Sequence, residues 1–224
     1  MLQLALPKSS GSPLRILCLG AHSDDIEIGC GGTILSLLEK NSDVDVRWVV
    51  FSATEERSSE ARHSAAAFLS DARQKAVVIK GHRDGFFPFA GAAIKEDFES
   101  LKRDFQPDLI LTHFRDDRHQ DHRLISDLTW NTFRDHLILE YEIPKYDGDL
   151  GQPNVFVPLA EAICEQKIGI LLESFPSQRA KSWFDEQTFR AMLRLRGMEA
   201  NSRTRFAEAF YCRKAVLGLS GLEG

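Results

Sequence analysis

The sequence predicts an α/β fold of the doubly wound, Rossmann-like kind, a single domain with a mostly parallel sheet flanked by helices. Three observations carry that expectation. Short apolar runs alternate with longer segments of helical periodicity. The first four runs are continuous rather than alternating, as in strands buried on both faces. Gly, Pro or Asp separates one element from the next. A length of 224 residues, with 43% hydrophobic and 27% charged residues, suffices for one large core and excludes global disorder.

Residues 1–13, "MLQLALPKSSGSP", read as a flexible leader before a domain spanning 14–224; a short apolar start without a basic segment and a continuous apolar stretch is no signal peptide. "RILCLGAH" (Arg15–His22) is the first strand, and "GCGGTILSLLEKN" reads as a helix opened by glycines. "VDVRWVVFSA" is a second, β-branched strand, and "SSEARHSAAAFLS" has helical Ala, Phe and Leu spacing. "QKAVVIKG" is the third strand; "IKEDFESLKRDFQ" is an amphipathic helix with Phe98, Leu101 and Phe105 on one stripe. Pro107 and Asp108 break that helix before the fourth strand, "PDLILTH", and "HRLISDLTWNTFRDH" returns to helix. Beyond Leu137 follow a strand and loop in "LILEYEIPKYDGD", a strand in "NVFVPL", helices in "LAEAICEQKIGILLES" and "SWFDEQTFRAMLRLRG", and a last strand in "FAEAFYCRKAVL". Tyr146–Pro153 reads as a long turn.

A formal charge of -5 argues against nucleic acid as the main partner. The four cysteines are scattered without a Cys-x-x-Cys pair, which supports neither a zinc ribbon nor a redox motif, and Cys18 and Cys212 read as buried small hydrophobes. No window approaches the ~18 apolar residues of a membrane span. The expectation is a cytoplasmic protein with a small-molecule partner; the sequence leaves open whether it forms a homo-oligomer.

In an open α/β sheet, ligands bind outside the carboxyl ends of the strands. That rule selects "HSDD" after the first strand and "THFRDDRHQDHR" after the fourth, which together offer His22, Asp24, Asp25, His113, Asp116, Asp117, His119, Asp121 and His122. Four of the seven histidines lie in these two loops, a concentration that a generic surface does not explain. Two His and one Asp from neighbouring loops would satisfy a catalytic metal site, with surplus carboxylates and imidazoles left to move protons. Spacing alone does not tell Asp24 from Asp25. Each loop taken singly also reads as a polar turn capping the next helix; their convergence on one sheet edge favours a site. The Gly29, Gly31, Gly32 cluster lacks the G-x-G-x-x-G spacing of a dinucleotide loop and is expected to permit a tight helix entry.

These residues also carry a family resemblance. "AHSDDIEIGCGGTI" resembles the A-H-P-D-D-x-E-x-G-x-G-G-T signature of the PIG-L/LmbE-like N-acetylglucosaminyl deacetylases, and "DRHQDHR" resembles their later D-R-H-P-D-H-R motif. The order of the further blocks, Arg57 to Glu60, Asp84-Gly85 and "RLRG…AEAF", is similar too. The resemblance implies zinc, or another divalent metal such as Fe2+, held by His22, Asp25 and His122. It implies Asp24 as the general base, His119 as the imidazole that stabilises the oxyanion or protonates the amine, and Asp121 as the carboxylate that orients it. The implied reaction removes the acetyl group of an N-acetylated amino sugar to give a free amine and acetate. Ser23 and Gln120 stand where the family motifs have proline, which implies altered turn rigidity rather than lost ligands. Ile26 stands where many members have Glu, and Glu27 matches a branch with Glu one place later.

Arg57, Arg62 and Asp84 follow the second and third strands on the same rim and are candidates for sugar hydroxyls, although Arg57 and Arg62 also suit helix-face salt bridges, Arg57 with Glu60. His113 suits a supporting role behind the metal or a purely structural one. A metal-dependent phosphoesterase is the alternative enzyme, recruiting Asp24, Asp116, Asp117 and Asp121 around two metals ~4 Å apart. A catalytically inactive sugar-binding scaffold is the third reading.

Overall fold

The structure is a computed structural model that describes Gln3 and residues 11–216. The expected leader therefore lies outside the described residues except at Gln3 and 11–13. Five strands, β1 (Leu14–Gly20), β2 (Val44–Val50), β3 (Gln74–Ile79), β4 (Leu109–His113) and β5 (Leu137–Tyr141), pair in parallel in the order β3-β2-β1-β4-β5. The sheet continues through β7 (Phe206–Cys212), antiparallel to β5, and ends on β6 (Val155–Leu159), antiparallel to β7. Pro158 sits in this edge strand, where a missing N–H is tolerated.

The strand order reverses between β1 and β4, so the carboxyl ends of these two strands flank the switch point where such sheets bind ligands. Along β1 the side chains alternate between two cores. Ile16 and Cys18 join the helices α1 (Asp25–Lys40), α2 (Glu55–Phe68), α5 (Glu161–Ser174) and α6 (Glu186–Glu199) on one face. Leu17 and Leu19 join α3 (Gly91–Asp104) and α4 (Gln120–Thr132) on the other. Short 3-10 turns occupy Phe87–Phe89 and Pro176–Gln178. No helix of the described residues is long and apolar enough to cross a membrane.

Two expectations are corrected. The glycine cluster does not open α1, which begins at Asp25; the glycines lie inside the helix. Their reason is close approach. A Cβ on Gly29 would stand 2.1 Å from the Tyr141 ring, one on Gly31 2.6 Å from Phe68, and one on Gly32 2.5 Å from Leu159 and 2.9 Å from the Glu208 carboxylate. That carboxylate accepts the main-chain N–H of Gly32 and Thr33, and Lys167 bridges Glu208 to the Ile28 carbonyl, so a buried ion pair is laid against the middle of α1. The second correction is Cys212, which is half-buried rather than buried; all four cysteines are free thiols.

A paired substitution checks the close-approach account. Gly29→Ala must displace the Tyr141 ring and is expected to lower stability by about 1–3 kcal/mol. Gly169→Ala, in the exposed middle of α5 with nothing within 4 Å of the added Cβ, is expected to raise it by roughly 0.4–1 kcal/mol. Urea unfolding of both variants measures the difference, and equal midpoints would contradict it.

Candidate active site

Each side chain of the site is set by where its element ends. β1 stops at Gly20, the chain turns through Ala21 to Asp24, and α1 starts at Asp25. Asp24 occupies the N-cap position without its side chain capping the helix. Its Oδ1 instead accepts a hydrogen bond of 2.7 Å from Arg57 Nη2 at the start of α2. The capping-turn reading of this stretch therefore fails on its own residue. The Arg57–Glu60 pairing is absent as well, since Glu60 takes the N–H and hydroxyl of Ser177.

Asp25 faces the interior. Its Oδ2 accepts the His22 N–H at 2.6 Å and lies 3.4 Å from His22 Nδ1 and 3.2 Å from His113 Nε2, while Oδ1 lies 3.6 Å from His122 Nε2. His22 Nδ1 and His122 Nε2 are 3.2 Å apart. A tetrahedral ion with bonds of about 2.0–2.1 Å spaces its ligand atoms by ~3.3 Å, so these three donors stand at coordination spacing.

Among the described residues, three groups could hold a metal ion: Asp25 with His113 and His122, His22 with His119 and His122, and His22 with Asp84 and Asp121. In the first, His113 Nε2 already accepts the Ala21 N–H at 2.9 Å, so its lone pair is engaged. In the second, His119 Nδ1 accepts the Asp121 N–H at 3.3 Å as the N-cap of α4. His22 and His122, by contrast, have their remaining nitrogens close to carboxylates, with a hydrogen bond at His122 alone. His22 Nε2 lies 2.9 Å from Asp84 Oδ1 and 3.5 Å from Asp121 Oδ2, and His122 Nδ1 lies 2.9 Å from Asp117 Oδ2. A carboxylate behind an imidazole fixes the tautomer that turns the other nitrogen towards a metal. Two nitrogens and one oxygen suit zinc or another divalent transition metal.

The loops interlock. Asp121 is fully buried, and its oxygens accept the N–H of Gly85 and Phe87. Its carboxylate thus holds the loop after β3, and what meets the His119 ring is the Asp121 main-chain N–H. Gln120, where the family motif has proline, donates its side-chain amide to the Gly85 carbonyl. Gly85 itself has φ +74°, which keeps Asp84 turned over His22. Arg62 is exposed on α2, in line with a surface role. His113 is fully buried, stacked on His122 with ring centroids 4.0 Å apart, and touches Asp25. Sequence reasoning gives Asp117 a role only as a phosphoesterase ligand and passes over Lys145, whose Nζ lies 3.0 Å from Asp117 Oδ2. The signal for Asp117 is its place inside "DRHQDHR", whereas Lys145 lies in a loop without a motif.

Charge follows this geometry. Burial opposes protonation of His22, but contacts with Asp121, Asp25 and Asp84 outweigh it and raise its pKa well above the ordinary imidazole value. Burial, then the neighbouring His113, lowers His122, and burial together with His122 and His22 lowers His119. Burial would raise Asp25, but His122, His113 and His22 hold it well below the usual carboxylate range. The His22 imidazole beside it brings the Asp84 carboxyl down to about 2.

Residues 17–133 match the PIG-L family, described as GlcNAc-PI de-N-acetylase. Among solved structures, the chain is similar to a conserved protein of Thermus thermophilus, with TM-score 0.72 and 21% identity over 92% of this chain and 97% of that one. It is also similar to the N,N'-diacetylchitobiose deacetylase of Pyrococcus horikoshii, with TM-score 0.68 and 20% identity over 93% and 88%. A third is GalB, the 4-carboxy-2-hydroxymuconate hydratase of Pseudomonas putida, with TM-score 0.71 and 16% identity over 92% and 98%. At these identities the likeness is one of fold.

The raised His22 pKa yields a test. A raised pKa favours the protonated ring in the metal-free protein, so metal and proton compete for His22. His22 favours the metal-free fold below about pH 6.5, and that contribution fades as pH rises through its raised folded pKa. Zinc binding near pH 7 is expected to release close to one proton, and affinity is expected to rise with pH until His22 has titrated. Calorimetry in buffers of different ionisation enthalpy measures the release. Zinc affinity that does not change from about pH 6 to 8 would remove His22 from the ligand set.

Proposed function

Because the chain belongs to the PIG-L family, we propose that it is a metal-dependent hydrolase that removes the acetyl group from an N-acetylated amino sugar. The substrate is an N-acetylglucosamine-type small glycoside or sugar conjugate, and the products are a free amine and acetate. One observation carries the reading: His22 Nδ1, His122 Nε2 and the Asp25 carboxylate lie 3.2–3.6 Å from one another, beside an Asp24 held by Arg57. Zinc is the metal assigned to these residues, and Fe2+ suits the same donors. Bound there, such an ion supplies a water of lowered pKa and polarises the amide carbonyl.

The chain's own residues do the rest. Arg57 engages Asp24 Oδ1, which leaves Oδ2 as the base that takes the proton of the attacking water and passes it to the departing nitrogen. A C–O bond forms, the C–N bond breaks, and the amine leaves neutral. His119 accepts the Asp121 N–H on Nδ1, which places its proton on Nε2 when the ring is neutral. Its lowered pKa favours that neutral form at pH 7. The Nε2–H then faces the negative charge that grows on the carbonyl oxygen. Asp121 acts at one remove, by fixing the loop that carries Asp84 and by donating to His119. Asp84 and Arg57 are assigned to the substrate rim; Arg57 Nε is buried without a partner among the described residues. Four free thiols suit the cytoplasm as the compartment.

Acetate release from a panel of N-acetylhexosamine conjugates tests the proposal. Asp24→Ala is expected to keep its metal and lose about 10²–10⁴-fold in turnover, whereas His122→Ala is expected to lose metal affinity. Full activity in both variants would sink the assignment. Two metals per chain with phosphate-ester hydrolysis would favour the phosphoesterase instead.

A further inference from the structure

Behind the site lies a second layer of charge that the proposed reaction does not use. Asp117, in the loop after β4, has one oxygen on His122 Nδ1 at 2.9 Å and the other on the His119 N–H at 2.7 Å. Lys145, in the loop after β5, reaches the same Asp117 Oδ2 at 3.0 Å and Asp149 Oδ2 at 2.5 Å. Asp149 also accepts the Arg118 N–H at 2.6 Å. The three charged side chains are nearly closed off from solvent, with Lys145 at 10%, Asp149 at 7% and Asp117 at 3% exposure. The far end of the same loop is pinned separately: Glu142 accepts the Gly151 N–H, the Tyr211 hydroxyl and a two-pronged contact from Arg196, which also donates to the Gly151 carbonyl.

We propose that Lys145 is a positioning residue for the metal ligand His122, acting through Asp117, and that it thereby couples the loop after β5 to the affinity of the metal centre. The proposal rests on the metal site proposed above. Two carboxylates from different loops lie within 3.0 Å of one ammonium, largely out of water. Without the ammonium they repel, and the cheapest relief is for Asp117 to turn away. That movement loosens the hydrogen bond that fixes the His122 ring with Nε2 towards Asp25. An exposed lysine pair would contribute little; burial and the shared oxygen set this one apart. Because Asp149 and Lys145 belong to the same loop, a ligand that moves this loop would alter the support of His122 without touching the metal.

The test is zinc affinity of the metal-free protein, measured by competition with a chromogenic chelator, together with the 15N-detected tautomer of the His122 ring. Lys145→Met is expected to weaken zinc binding by about 10-fold, within the 10–100-fold range for groups that support a ligand, and to broaden or shift the His122 signal. Lys145→Arg, which keeps the cation, is expected to restore most of both. In combination with Asp117→Asn, Lys145→Met is expected to add little beyond Asp117→Asn alone, since both act on one contact. Wild-type zinc affinity and an unshifted ring in Lys145→Met would overturn the proposal, as would independent, additive losses in the double variant. Failure of the methionine variant to fold while the arginine variant matches neither the wild-type ring signal nor its affinity would overturn it too. A protein that binds zinc in this pattern but releases no acetate from any conjugate refutes the deacetylase and leaves the coupling standing.

Discussion

The close approach of α1 to the sheet at Gly29 is the constraint on which the site depends. With no Cβ there, the Tyr141 ring lies flat against the helix, and its hydroxyl donates to the Leu19 carbonyl at the end of β1. The same hydroxyl lies 3.4 Å from His113 Nε2, which accepts the Ala21 N–H and touches Asp25. One packing contact therefore fixes where β1, β4 and β5 end relative to the first turn of α1. A bulkier residue at position 29 would push α1 outward and carry Asp25 with it. The buried Glu208–Lys167 pair holds the next turn of the same helix from the other side of Gly32.

Charge balance explains why so many ionisable groups can share so small a volume. Each buried carboxylate of the site faces a donor of its own: Asp24 has Arg57, Asp25 has the His22 N–H, Asp117 has His122 and Lys145, and Asp121 has two main-chain N–H groups. Unpaired, each would cost several kcal/mol to bury in ionised form. Glu27 is the exception that shows the rule. Among the described residues both its oxygens are buried without a hydrogen-bond partner, and burial pushes its pKa well up, towards the neutral acid.

Much of this is legible in the sequence, and the parts that are not share a cause. Apolar runs place β1 to β5, and the rule for open sheets places both loops at one edge, because these depend on local pattern and strand direction alone. The glycine cluster misleads because a helix-entry glycine and a close-packing glycine look alike until the ring opposite, Tyr141, is known; that ring is far away in the chain. The family motif implies that the Asp121 carboxylate orients His119, whereas the partners of that carboxylate are the Gly85 and Phe87 N–H groups, in a loop whose path no periodicity announces. Lys145 lies in the least patterned segment of all, and its meaning comes entirely from Asp117 and Asp149.

The rim differs from the centre beneath it in what it exposes. The loops after β3 and β5 are tied down from below by polar contacts, Asp121 to Gly85 and Phe87 in the first and Lys145 and Glu142 in the second. Above those ties they expose large apolar side chains: Phe86 and Phe89 on one, Tyr146 and Leu150 on the other. Arg83 lies over the Phe86 ring at 3.5 Å, which adds a cation to that rim. The division of labour is physical. Contacts beneath the rim hold imidazoles and carboxylates in one shared network, where one changed residue disturbs several partners. Side chains above it stand outside that network, so a change in one of them leaves the contacts of the centre in place.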